Sequence, residues 1–307
     1  MKISVIGAGN VGALSAMRIA QYGLGEVLLV DIAKGLAQGK ALDLADARPI
    51  LKQDYNLKGS DDITDIKDSS VIVITAGLAR KPGMTREELL NKNAQILKDI
   101  SLNIKKLAPE AVVIIVTNPL DLMTYLALKI TGFKKNKIIG MGVSLDAARF
   151  ANLIAQELKL STIDIDAVVI GSHGEGMLPL GKHTTVKGVS LDEFIDEAKM
   201  DVLVRKTVGR GAEIVSYLGS GSAFFAPSAA VAQMVKAIVK DEKKNLGACA
   251  YLEGEYGISD VCIGVPCRIG KNGIEEVVEL SLTDKELGEL KRSAESIRSL
   301  IKGLALN

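Results

Sequence analysis

A chain of 307 residues has room for about two domains of ~150 residues each, and 48% hydrophobic with 24% charged residues is the composition of an ordinary globular protein. The formal net charge of +1 leaves no global field to draw the chain to nucleic acid or to an anionic membrane surface. No uninterrupted apolar run of ~18 residues provides a membrane span, and the absence of Trp, with 4% aromatics, argues against stacking platforms for single strands.

The chain opens "MKISVIGAGN", with an apolar strand at residue 3 and no longer apolar core ahead of it. That start predicts a cytoplasmic protein without a leader. Short Val/Ile-rich runs follow at Ile3–Ile6, Val27–Val30, Val71–Ile74, Val112–Val116 and Ile138–Ile139. Such continuous runs suit strands covered on both faces. Helix-length patterns lie between them at Val11–Tyr22, Leu36–Ala47, Arg86–Leu107 and Leu120–Ile130. The alternation predicts an α/β fold, a doubly wound parallel sheet with right-handed crossovers. After about Val143 the pattern changes. A helix over Leu145–Leu158 and a strand over Ile165–Ile170 lead to "GSHGEG". Helices near Leu191–Leu218 and Ala229–Val239 come next, then strands near Ala248–Leu252, Val261–Ile269 and Ile274–Leu280, and a helix over Asp284–Lys302. The expectation is a dinucleotide-binding unit over 1–143 and a mixed α+β substrate unit over 144–307.

"GAGNVG" places Gly7, Gly9 and Gly12 in G-x-G-x-x-G spacing, with Ala8, Asn10 and Val11 between them. Alone the pattern is weak. Here a strand precedes it, a helix follows, and Asp31 stands 19 residues beyond Gly12 at the end of the next strand. The glycines allow a tight turn, close backbone approach to a pyrophosphate and close helix–strand packing. The helix N-terminus then meets the pyrophosphate. Asp31 would accept from the adenosine ribose and repel a 2′-phosphate, which favours NAD over NADP. "VTNP", Val116 to Pro119 with Thr117 and Asn118 inside it, ends a strand where parallel sheets bind ligands. Asn118 is either a cofactor contact or part of an Asn-Pro turn that only stops the strand.

The chain has two histidines. His173, in a Gly-rich turn after a Val/Ile run, is placed for general acid–base work or for an ordinary backbone hydrogen bond. His183 has no candidate partner and reads as structural. Asp146 and Arg149 in "SLDAARF" share a helix face at i,i+3. They form either a solvated salt bridge or a working pair, with Asp146 holding an imidazole and Arg149 gripping a carboxylate. "LARKPGMTREE" carries Arg80, Lys81 and Arg86 around a Pro82-Gly83 turn, a surplus of charge that local sequence alone would assign to solvent. Cys249, Cys262 and Cys267 complete no zinc pattern and read as buried free thiols, so no metal is expected.

Taken in order, "GAGNVG", "TAGLARKPGMTR", "VTNPLD", "SLDAARF" and "GSHGEGM" closely resemble the lactate/malate dehydrogenase family over nearly the whole chain, and within it the NAD-dependent, malate-acting, lactate-dehydrogenase-like branch. The resemblance implies that His173 is the proton donor and acceptor and Asp146 the carboxylate behind it. Arg149 would bind the C1 carboxylate of the substrate. Arg86 would polarise the reacting carbonyl, and Arg80 would recognise the distal carboxylate that lactate lacks. Asn118 would contact substrate and nicotinamide, and Asn93 would be a further NAD-binding position. Ser222 or Ala223 would face the substrate. The implied activity is reversible hydride transfer between (S)-malate and NAD, by a homodimer or homotetramer. The rivals are the same chemistry on lactate and pyruvate, a non-catalytic NAD sensor, and an NAD-dependent glycosidase. The intact His173, Asp146, Arg149 and Arg86 set opposes the sensor, and the lack of metal ligands opposes the glycosidase.

Overall fold

The computed structural model describes residues 1–78 and 86–303, together with the backbone but not the side chain of Arg86. Arg80, Lys81, Pro82 and Gly83 therefore lie outside the described residues, as does the Arg86 side chain.

In chain order the first half runs β1 (Lys2–Ile6), α1 (Asn10–Gln21), β2 (Glu26–Val30), α2 (Leu36–Asp46), α3 (Arg48–Leu51), β3 (Leu57–Ser60), β4 (Val71–Ile74), α4 (Arg86–Leu107), β5 (Val112–Ile115), α5 (Leu120–Thr131) and β6 (Ile138–Gly140). The second half runs α6 (Val143–Leu158), β7 (Ile165–Asp166), β8 (Val169–Gly171), β9 (Met177–Pro179), β10 (Thr185–Val186), β11 (Val189–Ser190), α7 (Glu197–Leu218), α8 (Phe225–Val239), β12 (Lys244–Glu253), β13 (Ser259–Gly270), β14 (Gly273–Val277) and α9 (Asp284–Gly303).

Strands β3-β2-β1-β4-β5-β6 are parallel neighbours in that order, the arrangement of a doubly wound dinucleotide-binding sheet. The runs are continuous because both faces are covered. In β4 and β5, Val71, Val73, Val112 and Ile114 enter one core while Ile72, Ile74, Val113 and Ile115 enter the other. Helix α4 has Glu87 and Glu88 in its first turn and Lys105 and Lys106 in its last, matching the helix dipole at both ends. The sheet does not stop at β6. It continues through antiparallel β12, β13, β8 and β9, with β14 on β13.

Three expectations need correction. Strand β3 went unnoticed because "LKGS" has a single apolar residue and no β-branched one. The expected strand Ile165–Ile170 is two strands in two sheets: β7 pairs β10, whereas β8 pairs β13 and β9. Between them the Val168 N–H donates to Thr184 Oγ1 at 3.0 Å instead of to a strand neighbour. The expected helix from Leu191 starts only at Glu197, because Asp196 caps it, its carboxylate accepting from the Lys199 N–H at 2.8 Å.

Candidate active site

β1 lies between β2 and β4 and delivers Gly7–Gly12 to the carboxyl edge of the parallel sheet. Gly7 takes φ +105°, and a Cβ there would lie 2.6 Å from the Ala76 nitrogen. At Gly12 a Cβ would come within 1.8 Å of the Gly7 carbonyl oxygen and 2.6 Å of Thr75 Oγ1. Gly9 differs from both. A Cβ there would meet nothing within 4 Å, so the chain itself does not require glycine at that point. Gly9 is the N-cap of α1, no side chain caps it, and the first turn holds no acid. Free N–H groups, open space and no competing negative charge fit a pyrophosphate.

Asp31 follows β2. Its Oδ2 accepts the Ala8 N–H at 2.6 Å and its Oδ1 the Ala33 N–H at 2.9 Å. Each oxygen keeps acceptor capacity for ribose hydroxyls, and the fixed negative charge opposes a 2′-phosphate. Lys40, on α2, donates to the Ala8 carbonyl at 2.6 Å, so Ala8 is held from both sides. Sequence reasoning missed Lys40, since nothing in a helix marks which lysine turns back to a loop 32 residues earlier in the chain.

Val116, Thr117 and Asn118 line a cleft that Val11 of the glycine loop also lines. Thr117 Oγ1 donates to the Ala76 carbonyl at 2.7 Å and ties the ends of β4 and β5 together. Asn118 precedes Pro119 through a cis peptide and opens on the cleft. Asn93, 3% exposed, uses its amide within the chain: Oδ1 accepts the Leu78 N–H at 2.8 Å and Nδ2 donates to the Asn118 carbonyl at 3.1 Å. It lines the cleft and also joins the two loops that form its wall.

The chemistry-bearing residues converge from the second half. His173 follows β8, and its Nδ1 is 2.7 Å from Asp146 Oδ2. Asp146, in the first turn of α6, is fully buried, and its Oδ1 accepts from Arg149 Nη1 at 3.1 Å. The Arg149 side chain is 12% exposed, so this i,i+3 pair is not a solvated surface bridge. Among the described residues nothing accepts from Arg149 Nε, although that atom is buried. A buried guanidinium with an unfilled N–H suits a carboxylate ligand. Burial alone lowers the pKa of His173, but the hydrogen bond and charge of Asp146, with Asp121 adding, outweigh it and raise the value; Arg149 opposes. Gly142 makes the approach possible, since a Cβ there would lie 2.3 Å from Leu120 Cδ2 and 3.0 Å from His173 Cβ.

His173 and Arg149 open on the cleft of about 600 Å³ that Val116–Asn118 line, with the fully buried Asp146 behind them. Ser222 and Ala223 both line it. His183 does not, and its Nε2 is buried without a hydrogen-bond partner among the described residues. The three cysteines are free and buried, and among the described residues no cluster could hold a metal ion.

Residues 1–140 match the lactate/malate dehydrogenase NAD-binding domain, and residues 143–305 match the α/β C-terminal domain of the same family. The chain belongs to the lactate/malate dehydrogenase family. It is 51% identical over 306 residues to a malate dehydrogenase of Methanosarcina mazei, covering all of both chains. It is 49% identical to one of Chlorobium phaeobacteroides, covering 99% of this chain and 98% of the other. The apo malate dehydrogenase of Picrophilus torridus superimposes with TM-score 0.94 at 42% identity, covering 98% of this chain and 96% of that one. A Cryptosporidium parvum lactate dehydrogenase complexed with lactic acid and nicotinamide adenine dinucleotide reaches TM-score 0.95 at 38% identity, covering 100% of this chain and 98% of that one. Within this family the backbone is thus common to both substrates, and side chains in the cleft must choose between them.

Proposed function

We propose that this chain acts as an NAD-dependent malate dehydrogenase, interconverting (S)-malate and oxaloacetate. The observation that carries the reading is the His173–Asp146–Arg149 constellation, built on a fully buried Asp146, with His173 and Arg149 opening on the cleft that Val11 of the glycine loop also lines. Gly7–Gly12, Asp31, Asn93 and Val116–Asn118 would hold the cofactor. NAD, when bound, supplies the hydride acceptor. Everything else falls to the chain. Arg149 binds the C1 carboxylate and orients C2. His173, with Nδ1 committed to Asp146, takes the C2 hydroxyl proton on Nε2, and Asp146 stabilises the imidazolium that results. In the reduction of oxaloacetate the same Nε2 returns the proton. Asn118 orients substrate against cofactor, and Arg86 would stabilise charge growing on the carbonyl oxygen.

We divide the chain at Val143, with residues 1–143 binding dinucleotide and 144–307 substrate; the change from parallel to antiparallel pairing after β6 supports this. Free buried thiols suit the reducing cytoplasm. Among the described residues no helix is long and apolar enough to cross a membrane. Leu42 on α2 and Ile50 on α3, 68% and 83% exposed, support assembly into a homodimer or homotetramer.

The testing experiment is NADH oxidation with oxaloacetate and pyruvate side by side, repeated with NADPH. Turnover with oxaloacetate and NADH should dominate; a preference for pyruvate would transfer the chain to lactate chemistry, and binding of NADH without turnover to a sensor. Arg80 is the proposed distal-carboxylate ligand. Arg80→Gln should move the ratio of kcat/KM for oxaloacetate over pyruvate by about 10²-fold toward pyruvate, the cost of unpairing a desolvated charge. An unmoved ratio would remove Arg80 from substrate choice.

A further inference from the structure

Two remote side chains reach the His173 loop, and the mechanism above uses neither. Ser293, on α9, accepts the Ser172 N–H at 2.9 Å, lies 3.1 Å from Ser172 Oγ, and donates to the Gly176 carbonyl at 3.0 Å. Asp121, in the first turn of α5, accepts the main-chain N–H of His173 itself on Oδ2 at 2.9 Å. Adjacent N–H groups of one loop are thus satisfied by a hydroxyl in one case and a carboxylate in the other.

The contrast is informative because a carboxylate is costly at this place. Asp121 is 6% exposed. Among the described residues its buried Oδ1 has no hydrogen-bond partner. Burial pushes its pKa up to about 6, against the lowering influence of Cys249 and His173. A hydroxyl or an amide would satisfy the same N–H without placing a charge in a dry site. The groups facing Asp121 are His173 from the loop after β8, Asp146 from α6 with Arg149 behind it, and Cys249 on β12 with Cys262 on β13 beyond. Among these the imidazolium is the positive charge whose existence depends on a proton.

We propose that Asp121 is a positioning residue for His173, fixing the main chain from which the imidazole projects and placing a second buried negative charge, beside that of Asp146, that favours the imidazolium. The charge gives a function to an acid at a place where a neutral acceptor would be more stable. This rests on His173 being the proton carrier, as proposed above.

Only two histidines are present, so the ring signals of histidine-labelled protein can be assigned with His183→Gln and followed against pH in the NADH complex. Asp121→Asn keeps an oxygen for the His173 N–H and removes only the charge. It should lower the His173 pKa by about one unit and move the high-pH fall of kcat/KM for oxaloacetate reduction down with it. Ser293→Ala should disturb the loop, lowering kcat without moving that limb. Because Asp121's folded value lies above its ordinary one, its ionisation costs stability as pH rises through about 6; the Tm of Asp121→Asn relative to the native chain should therefore rise across that range. Should the asparagine variant not fold, Asp121→Ser carries the same expectations. An imidazole titrating at its native value in the variant would overturn the proposal, as would an equal shift in Ser293→Ala. Absence of oxaloacetate turnover in the native chain, with the imidazole shift intact, would instead overturn the assigned activity and leave the charge effect standing.

Discussion

Asp146→Asn lowers kcat for oxaloacetate reduction by about 10²- to 10⁴-fold, the range for losing an effective general acid. Asp146 is the hydrogen-bond partner of His173 Nδ1 at 2.7 Å, is fully buried, and helps hold the imidazole pKa above its ordinary value. With an amide in its place the ring keeps a neighbour but loses the charge that makes the imidazolium a stable species near neutral pH. Reduction needs that protonated form, so the high-pH limb of the rate profile shifts downward in the variant. The linkage has a definite sign. His173, with its folded pKa raised, contributes stability that is complete below the ordinary histidine value and is lost as pH rises through the raised one. Asp146→Asn removes the charge that outweighs burial, so the loss of stability with rising pH attributed to His173 disappears from the Tm profile. It also deprives Arg149 of its charged partner, a loss that His173→Asn does not add. The two variants together separate the effects. Both lose the rate and the stability of the His173–Asp146 pair, and the first loses more because it also weakens the hold on Arg149. A kcat within threefold of native for Asp146→Asn, on the same pH profile, would contradict the assigned role (a threefold change is ~0.65 kcal/mol, inside ordinary mutational scatter).

The second large effect is at the dinucleotide loop, and it comes as a contrast between two glycines. Gly12→Ala places a methyl group 1.8 Å from the Gly7 carbonyl oxygen and 2.6 Å from Thr75 Oγ1. The first is main chain and cannot rotate away, so α1 must lift off β1. Overpacking of this kind costs ~1–3 kcal/mol or more, which lowers Tm by several degrees, and the displaced helix end weakens NADH binding by ~10²-fold. Gly9→Ala meets no atom within 4 Å. It should keep the native Tm while losing affinity for NADH, because its methyl group enters space that the pyrophosphate would occupy. Calorimetry for stability and fluorescence titration with NADH for affinity read the two separately. Equal loss of Tm in both variants would show that the loop is shaped by chain packing alone and not for a ligand.

Much of the architecture is legible in the residues. Val71–Ile74 reads as a strand because all four residues are apolar, and they are so because each face of that strand meets a separate core. Arg86–Leu107 reads as a helix because it is a helix-length pattern between two strands, and its terminal charges match the dipole. The glycine spacing followed by Asp31 is legible because turn, helix and acid all belong to one short βαβ unit, whose geometry is local. The unit after Val143 was harder to read. A break such as that at Asp166–Val168 depends on Thr184, just before β10, supplying a partner, and no local period records it.

The sequence by itself thus determined the alternating elements, the dinucleotide loop, and the side chains able to carry protons and bind carboxylates. The tertiary structure decided which of them meet. His173 finds Asp146 across 27 residues, Asp121 across 52, and Ser293 holds its neighbour across 121. It decided too that Asp146 and Arg149 are buried instead of solvated, and that Lys40 turns back to Ala8. The physical reason is the range of the forces involved. Periodicity records the burial of a segment's own faces, which every residue of the segment reports. A hydrogen bond between two distant side chains is set by how packed sheets and helices bring their ends together, and neither partner carries a mark of the other.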